Sequence, residues 1–361
     1  MAGADEMVCT RERNLIYDYA YVPEHLPDYV EAISGAEAFF HEGHVCYVKG
    51  RHLIFIGYPL SGEDSIVTRI DIAASDEWST PPSPFPPPQG EGVSKPSPLA
   101  GEGRVGGKPV RSDNADFNAV HSTAKAYESA CKRFDPITIA IVAPRIWFAG
   151  AVEKGEKGDI PLFPSGKARK KRMGKRGMSH FSQDMYYRLD LPCGPLRSDL
   201  AYMVRRASRE LEVSEGSFGE EHIRMVDAFV AARDLLSGHQ EIFRAIPSYL
   251  KRSRTAILLE ARRRGELIAF NVLDLGSRDW GFWLFHFRSA VANVPGASDL
   301  LFHEMVRVAE AKGKKRFNLG LGINAGIRRF KEKWGSVAFL PYVTTSMRRK
   351  RMDVLRILTR F

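Results

Sequence analysis

Residues 280–321 read WGFWLFHFRSAVANVPGASDLLFHEMVRVAEAKGKKRFNLGL, and this stretch decides the fold. The apolar run at 280–287 predicts a strand, and the run at 316–321 predicts a second one. Between them, 299–312 carries apolar residues at helical spacing, and Gly313 ends that helix. A strand, a helix and a strand in this order predict a crossover unit within a sheet.

The sequence on either side extends this unit. Residues 255–261 and 266–275 predict two strands that join the strand at 280 through short turns, as an antiparallel meander. After the crossover, 325–334 predicts a short helix and 337–344 a last strand. Meander, helix, strand, helix and strand predict an α/β fold with a mixed, α+β-like sheet.

The first part of the chain predicts three strands and a helix. Residues 44–49 and 52–58 predict a hairpin. Residues 118–134 then predict a helix, and 136–142 predicts a buried strand. The middle of the chain adds one predicted strand and three predicted helices, at 185–191, 198–211, 218–236 and 241–251.

Length and composition limit the class of protein. The chain has 361 residues, enough for two domains, and its 44% hydrophobic and 27% charged residues are ordinary for a globular protein. Four cysteines without a C-x-x-C pair are no disulfide framework and predict a reducing, cytoplasmic setting. No window approaches about 18 uncharged apolar residues, and the N-terminus lacks an apolar signal region. The sequence therefore predicts neither a membrane span nor a secretory signal.

The net charge of +10 is concentrated in two short segments. Lys167–Arg176 contains seven basic residues, and 347–361 contains six basic residues and one Asp, so the rest of the chain is close to neutral. The Pro- and Gly-rich stretch 75–115 has the composition of a disordered insert, and 150–178 that of a basic loop. We therefore expect local contacts with an anionic partner, either tRNA or, through 347–361, an anionic membrane surface.

The motifs of the second half resemble a known family. They are Val294-Pro295-Gly296-Ala297-Ser298-Asp299-Leu300-Leu301, Phe317-Asn318-Leu319-Gly320-Leu321 and Phe330-Lys331-x-Lys333-Trp334. In this order they resemble the soluble domain of the phosphatidylglycerol lysyltransferases and, more loosely, the Fem-type peptidyltransferases. Both are built from tandem GNAT-like acyltransferase units. The resemblance implies one unit at 1–180, which includes the insert and the basic loop, a second at 181–346, and a basic tail at 347–361.

The resemblance also implies a reaction, the transfer of an aminoacyl group from aminoacyl-tRNA to an amine or hydroxyl acceptor, such as a lipid or a cell-envelope precursor. An ester donor is already activated, so the enzyme has to align the nucleophile and stabilise a tetrahedral oxyanion. We expect no bound cofactor, because aminoacyl-tRNA or acyl-CoA is a donor substrate, and no metal. The protein is expected in the cytoplasm, or peripherally at the inner membrane surface.

Two other functions stay open at this point. Acetyl-CoA-dependent GNAT enzymes carry Q/R-x-x-G-x-G/A before the helix, whereas this chain has Asn293 and Ser298 in the outer positions around Gly296. This departure favours a tRNA-using relative over an acetyl-CoA-dependent N-acetyltransferase. The third function is a non-catalytic tandem GNAT protein that binds RNA or a membrane surface through its basic segments. No pattern in the sequence indicates the oligomeric state.

The turn before the central helix is the first candidate binding site. Gly296, Ala297 and Ser298 lie between a strand and a helix, where the N–H groups of a first helical turn bind an anion or an oxyanion. Gly296 permits the close approach of a ligand. The alternative is a tight Pro-Gly turn in which Ser298 caps and begins the helix.

Three residues are candidates for catalysis. His286 lies near the end of its strand, just before this turn, where a general base would help; the alternative is a structural histidine. Asp299 either orients an ammonium group or only complements the helix dipole. Asn318 is an amide in an apolar strand, and a buried amide needs hydrogen-bond partners.

The remaining candidates bind substrate. Lys331 and Lys333 lie two apart on a helix, so one can bind a phosphate or a carboxylate while the other is solvated. The alternative is two surface lysines, and the motif match favours Lys331. Asn324, in a glycine-rich loop, either contacts a ligand or caps the following helix. Trp334 is expected in the core.

Overall fold

The computed structural model describes residues 2–60, 113–144, 182–233, 235 and 237–348. A short 3-10 turn, Pro23–His25, follows the first helix. The α-helices in these residues are α1 Ala2–Tyr19, α2 Pro27–Ser34, α3 Asp113–Phe134, α4 Ser198–Ala207, α5 Glu220–Ala231, α6 Ser237–Arg244, α7 Ile246–Arg252, α8 Ala297–Ala311 and α9 Ala325–Lys333.

The eleven strands in the described residues form one mixed sheet, in the order β1-β2-β3-β4-β11-β5-β10-β9-β8-β7-β6. They are β1 Glu37–His41, β2 His44–Lys49, β3 His52–Ile56, β4 Thr138–Ala143, β5 Ser182–Asp190, β6 Glu212–Glu215, β7 Ala256–Arg263, β8 Glu266–Asp274, β9 Trp280–Arg288, β10 Arg316–Leu321 and β11 Val337–Arg348. The predicted fold class, α/β with a mixed sheet, is confirmed.

The same unit occurs twice in this sheet. In the first unit, the antiparallel strands β1, β2 and β3 precede α3 and then β4, which is parallel to β3. In the second unit, the antiparallel strands β7, β8 and β9 precede α8 and then β10, which is parallel to β9. The strand that follows each unit in the chain pairs with the other unit. β5, which follows β4, pairs with β10, and β11, which follows β10, pairs with β4. The boundary between residues 180 and 181 stays a prediction.

Buried apolar side chains cover both faces of the sheet. On one face, α1, α2, α5, α6 and α7 pack in a cluster that extends across both units. On the other face, α3 packs on the first unit, and α4, α8 and α9 pack on the second. The alternation of strand residues explains this division, since Ile54 belongs to the first face and Phe55 to the other. No helix in the described part of the chain has the length and apolar character needed to cross a bilayer.

Several elements differ from the sequence prediction. Helix α1 and the short strands β1 and β6 were not predicted, because their sequences are polar or mixed. The predicted helix at 241–251 is two helices: Pro247, in the first turn of α7, has no N–H to continue a hydrogen-bonded ladder from α6. The helix predicted to begin at Ser298 begins at Ala297, with Gly296 at the cap position.

Candidate functional site

The parallel strands of the first unit stay together to their ends. β3 and β4 pair at five consecutive positions, 52–56 with 138–142. Just beyond them, the Gly57 N–H donates to the Val142 carbonyl at 2.7 Å. A Cβ on Gly57 would lie 2.7 Å from the Cβ of Ala143, which is too close for a side chain. At this end of the first unit, β3 and β4 therefore stay hydrogen-bonded and leave no gap between them.

The corresponding strands of the second unit separate early. β9 and β10 pair only through 280–282 and 316–318, and among the described residues the rest of β9 pairs with β8 alone. Asn318 is the last paired residue of β10 on this side, and beyond it β10 also shifts register against β5. Its Oδ1 accepts from the Gly320 N–H at 2.8 Å, and Gly320 has a φ of +72°. Its Nδ2 donates to the Tyr21 carbonyl at 2.8 Å. Both ends of this fully buried amide are thus bound by backbone, which favours a structural role for Asn318.

The N-terminus of α8 contacts the separated part of β9. Gly296 has a φ of +84°, and a Cβ there would lie 2.6 Å from the carbonyl oxygen of Met203 in α4, so the turn requires glycine. Ala297 is buried, and its N–H donates within the turn. The N–H groups of Ser298 and Asp299 have no acceptor within the described part of the chain. Two donors of the first helical turn are therefore available.

A histidine of β9 lies against this helical turn. His286 Nε2 is 2.9 Å from Ser298 Oγ, and its Nδ1 is 2.8 Å from Asn271 Oδ1. Asn271, on β8, is fully buried and stands directly opposite His286 in the strand register. Serine, histidine and asparagine therefore form a continuous hydrogen-bonded row that begins at the N-terminus of α8.

The direction of these hydrogen bonds follows from a tryptophan. The indole Nε1 of Trp283, which can only donate, lies 3.2 Å from the same Asn271 Oδ1. The asparagine atom that Trp283 and His286 share is thus an oxygen, so His286 Nδ1 carries a hydrogen and donates it. In the neutral ring Nε2 is then the acceptor, and it accepts the hydroxyl hydrogen of Ser298.

The surroundings keep His286 neutral. Burial, followed by the positive charge of Arg288, lowers the pKa of His286 to about 4. A register shift between β8 and β9 leaves Leu284 without a paired residue on β8. Because of this bulge, the side chains of Trp283 and His286 lie on the same face of the sheet. The site therefore contains an uncharged base whose tautomer is fixed by its neighbours.

Asp299 and Lys333 form an ion pair between α8 and α9. Lys333 Nζ lies 2.5 Å from Asp299 Oδ1, which also accepts from the indole Nε1 of Trp334 at 3.2 Å. Trp334 is buried in the core, as predicted. Because the carboxylate is neutralised by the protein's own lysine, the structure favours a positioning role for Asp299 over the binding of a substrate ammonium group.

The two lysines of α9 point in different directions, as their helical spacing predicts. Lys331 is only 2% exposed, and its Nζ donates to the carbonyl of Leu321, at the end of β10, at 2.7 Å. The ammonium also lies 5.5 Å from the ring centroid of Tyr187. Burial lowers the pKa of Lys331 to about 7, although Asp184 opposes the shift. The buried side chain of Lys331 thus satisfies the last carbonyl of β10 and is not available to bind a substrate anion.

Asn324 has the capping role that the sequence offered as the alternative. Its Oδ1 accepts from the Ile327 N–H at 3.0 Å, at the start of α9, and the residue is exposed. Of the predicted residues, the structure brings together His286, Ser298 and the turn at Gly296. Asn324 and Lys331 have other partners, because the first caps α9 and the ammonium of the second is bound to the Leu321 carbonyl.

Sequence reasoning missed two residues of the site, Asn271 and Trp283. A polar residue in the apolar run 266–275 was a signal for Asn271, since a buried amide needs partners. Trp283 had no such signal, because its direction depends on the bulge at Leu284. The described residues contain no cluster of three or more side chains that could hold a metal ion. The predicted insert, the Lys167–Arg176 run and most of the basic tail lie outside the described residues.

Comparison with known proteins shows similarity of fold. No protein-family model matches the sequence, and no curated protein matches it. A conserved protein of unknown function from Bacteroides thetaiotaomicron has a TM-score of 0.51 at 9% identity, over 96% of this chain and 97% of its own. The C-terminal domain of a lysylphosphatidylglycerol synthetase from Agrobacterium fabrum has a TM-score of 0.49 at 12% identity, over 97% and 96%. L-PGS from Bacillus licheniformis has a TM-score of 0.46 at 14% identity, over 92% and 90%. At this level of identity, the similarity to the Bacteroides protein is one of fold alone.

Proposed function

We propose that this protein is an acyltransferase whose active site lies where β9 and β10 separate, next to the N-terminus of α8. The observation that carries the proposal is the neutral His286, whose Nε2 accepts a hydrogen bond beside the N–H groups of Ser298 and Asp299, which have no acceptor among the described residues. Acyl transfer needs a base that takes the proton of the nucleophile and donors that stabilise the oxyanion. Both are supplied by this chain.

The donor is proposed to be an aminoacyl ester of tRNA, and the acceptor an amine or a hydroxyl group. The motif resemblance supports this donor, and so does the departure from the acetyl-CoA loop pattern at Asn293 and Ser298. The basic segments at 167–176 and 347–361 add positive charge suited to an anionic carrier or an anionic membrane surface.

The reaction places the carbonyl oxygen of the donor ester at the N–H groups of Ser298 and Asp299. The charge that develops on this oxygen in the tetrahedral intermediate is then met by two helix N-terminal donors. His286 Nε2 accepts the proton of the attacking group and returns it to the leaving alcohol. The hydrogen bond to Asn271 holds the ring in this orientation and stabilises the imidazolium while it carries the proton.

The experiment incubates the full chain with tRNA charged with radiolabelled amino acids, together with vesicles of phosphatidylglycerol or soluble amines. We expect labelled product to appear in the lipid or amine fraction. The His286→Gln variant should lose this transfer, and His41→Gln, a histidine of the first unit, should retain it. Saturable transfer from labelled acetyl-CoA instead would replace the tRNA donor by the acetyltransferase alternative. Absence of transfer from every donor would contradict an acyltransferase.

A further inference from the structure

The hydrogen bond that His286 accepts comes from a hydroxyl group of the protein itself, that of Ser298. The geometry points to Ser298 as a catalytic nucleophile that takes the acyl group from the donor first, as an acyl-serine ester, and then passes it to the acceptor. This inference rests on the proposed acyl transfer and adds a covalent step to it. Ser298 is partly exposed, so that an acyl donor can reach its Oγ.

The contacts of Ser298 match the requirements of an activated serine. Its Oγ lies 2.9 Å from Nε2 of a neutral histidine, and that histidine is held by Asn271 at 2.8 Å on the opposite ring nitrogen. Nucleophile, base and orienting group in this sequence of contacts are the general arrangement for nucleophilic catalysis. The residue after the nucleophile, Asp299, offers an N–H group without an acceptor in the described chain, which is a usual source of an oxyanion donor.

A second serine–histidine pair shows that proximity alone is not sufficient. In the first unit, His41 Nε2 lies 3.1 Å from Ser129 Oγ. The Arg133 guanidinium, which can only donate, lies 3.1 Å from His41 Nδ1, so that in this neutral ring Nε2 carries the hydrogen. The Ser129 hydroxyl instead donates to the Glu42 carboxylate at 2.6 Å. His41 therefore donates to its serine, and Ser129 is not activated.

The proposed step balances in protons and electrons. A lone pair of Ser298 Oγ forms a bond to the acyl carbon, and the hydroxyl proton passes to His286 Nε2. The bond between the acyl carbon and the donor's alcohol oxygen breaks, and His286 returns the proton to that oxygen. An acceptor amine then attacks the ester carbon, its proton passes through His286 to Ser298 Oγ, and the acyl–serine bond breaks. No oxidant, reductant or metal is needed.

The test follows the acyl group on the protein with p-nitrophenyl acetate as the probe. The full chain is mixed with excess ester, nitrophenolate release is recorded on the millisecond-to-second scale, and acid-quenched protein is mapped by mass spectrometry. We expect a burst of one nitrophenolate per chain and one acetyl group on Ser298. Ser298→Ala should show no burst, Ser298→Cys should carry an acetyl thioester that neutral hydroxylamine removes, and Ser129→Ala should behave like the wild type.

The outcomes separate the covalent step from the proposed function. A full burst in Ser298→Ala, or an acetyl group on another residue in the wild type, overturns the inference. Steady release without a burst in the wild type, combined with unchanged acyl transfer by Ser298→Ala, also overturns it and leaves the acyltransferase in place. If the wild type neither releases nitrophenolate nor transfers any acyl group, the proposed function fails as well. Thermal unfolding of each variant checks that the fold is retained.

Discussion

The two units of the sheet each contain a serine next to a histidine, with hydrogen bonds that run in opposite directions. In the second unit the hydroxyl of Ser298 donates to His286, whereas in the first unit His41 donates to Ser129. The difference comes from the neighbours of each imidazole. An asparagine oxygen beside Nδ1 fixes one tautomer, and an arginine beside Nδ1 fixes the other.

The backbone differs between the units in a parallel way. The strands around Gly57 stay paired to their ends, while those around Asn318 separate after three positions. The second unit therefore has both features: its histidine accepts a hydrogen bond from a serine, and its parallel strands β9 and β10 separate. A repeated fold supplies two similar frameworks, and a few polar side chains determine which one contains the proposed active site.

The largest expected effect concerns the two histidines. His286→Gln should lower the rate of acyl transfer by roughly 10²–10⁴-fold, the usual contribution of a general base. His41→Gln should leave the rate within about twofold, because its ring donates to a serine outside the site. Steady-state kinetics on both variants measure the difference, and equal losses would mean that the direction of the hydrogen bonds does not decide activity.

Asn318 tests what keeps the strands open. Asn318→Ala removes the donor to the Tyr21 carbonyl and the acceptor of the Gly320 N–H. Because two backbone groups lose their partners, we expect a loss of about 2–5 kcal/mol in the free energy of unfolding. Asn324→Ala, which removes an exposed helix cap, should cost only about 1 kcal/mol. Urea unfolding of both variants provides the comparison. Similar costs would contradict the role assigned to the buried amide.

The glycine at the α8 turn gives a smaller effect on stability. Gly296→Ala combines a positive φ with a Cβ 2.6 Å from the Met203 carbonyl, for an expected cost of about 2–3 kcal/mol. Gly43→Ala, in the first unit, has a similar φ of +79° with open space around it, and should cost about 1 kcal/mol. If thermal unfolding gives equal shifts for both, the close approach of α4 is not what requires glycine at position 296.

The smallest expected effect is on the pH profile. His286 must be neutral to act as a base, so the transfer rate should be constant above its pKa of about 4 and fall as the pH drops through that value. Arg288→Gln removes a charge that lowers this pKa, so the acid limb should move to higher pH, by less than about one unit because an exposed charge is screened. Arg133→Gln, beside His41, should leave the limb where it is. If the acid limb moves in Arg133→Gln and not in Arg288→Gln, the catalytic base is in the first unit and the account is contradicted.

The sequence predicted the parts of the fold and of the site that depend on local pattern. The run 280–321 contains its own strand, helix and strand signals, and the cap at Asn324 follows from the loop that precedes α9. Asn271 became part of the site only through the β8–β9 register, and Trp283 only through the bulge that turns it toward His286. The contact between Asn318 and Tyr21 joins residues almost 300 positions apart. Patterns within a short window do not contain such pairings.

The most direct test of the account is the position of the proton on the two imidazoles. Nitrogen-15 labelling of the histidines, with His286→Gln and His41→Gln used to assign the signals, allows the tautomer of each ring to be measured by NMR at neutral pH. We predict that His286 is neutral with its hydrogen on Nδ1, and that His41 is neutral with its hydrogen on Nε2. The same tautomer on both rings, or a protonated His286 at neutral pH, would contradict the opposite hydrogen bonding and the active site derived from it.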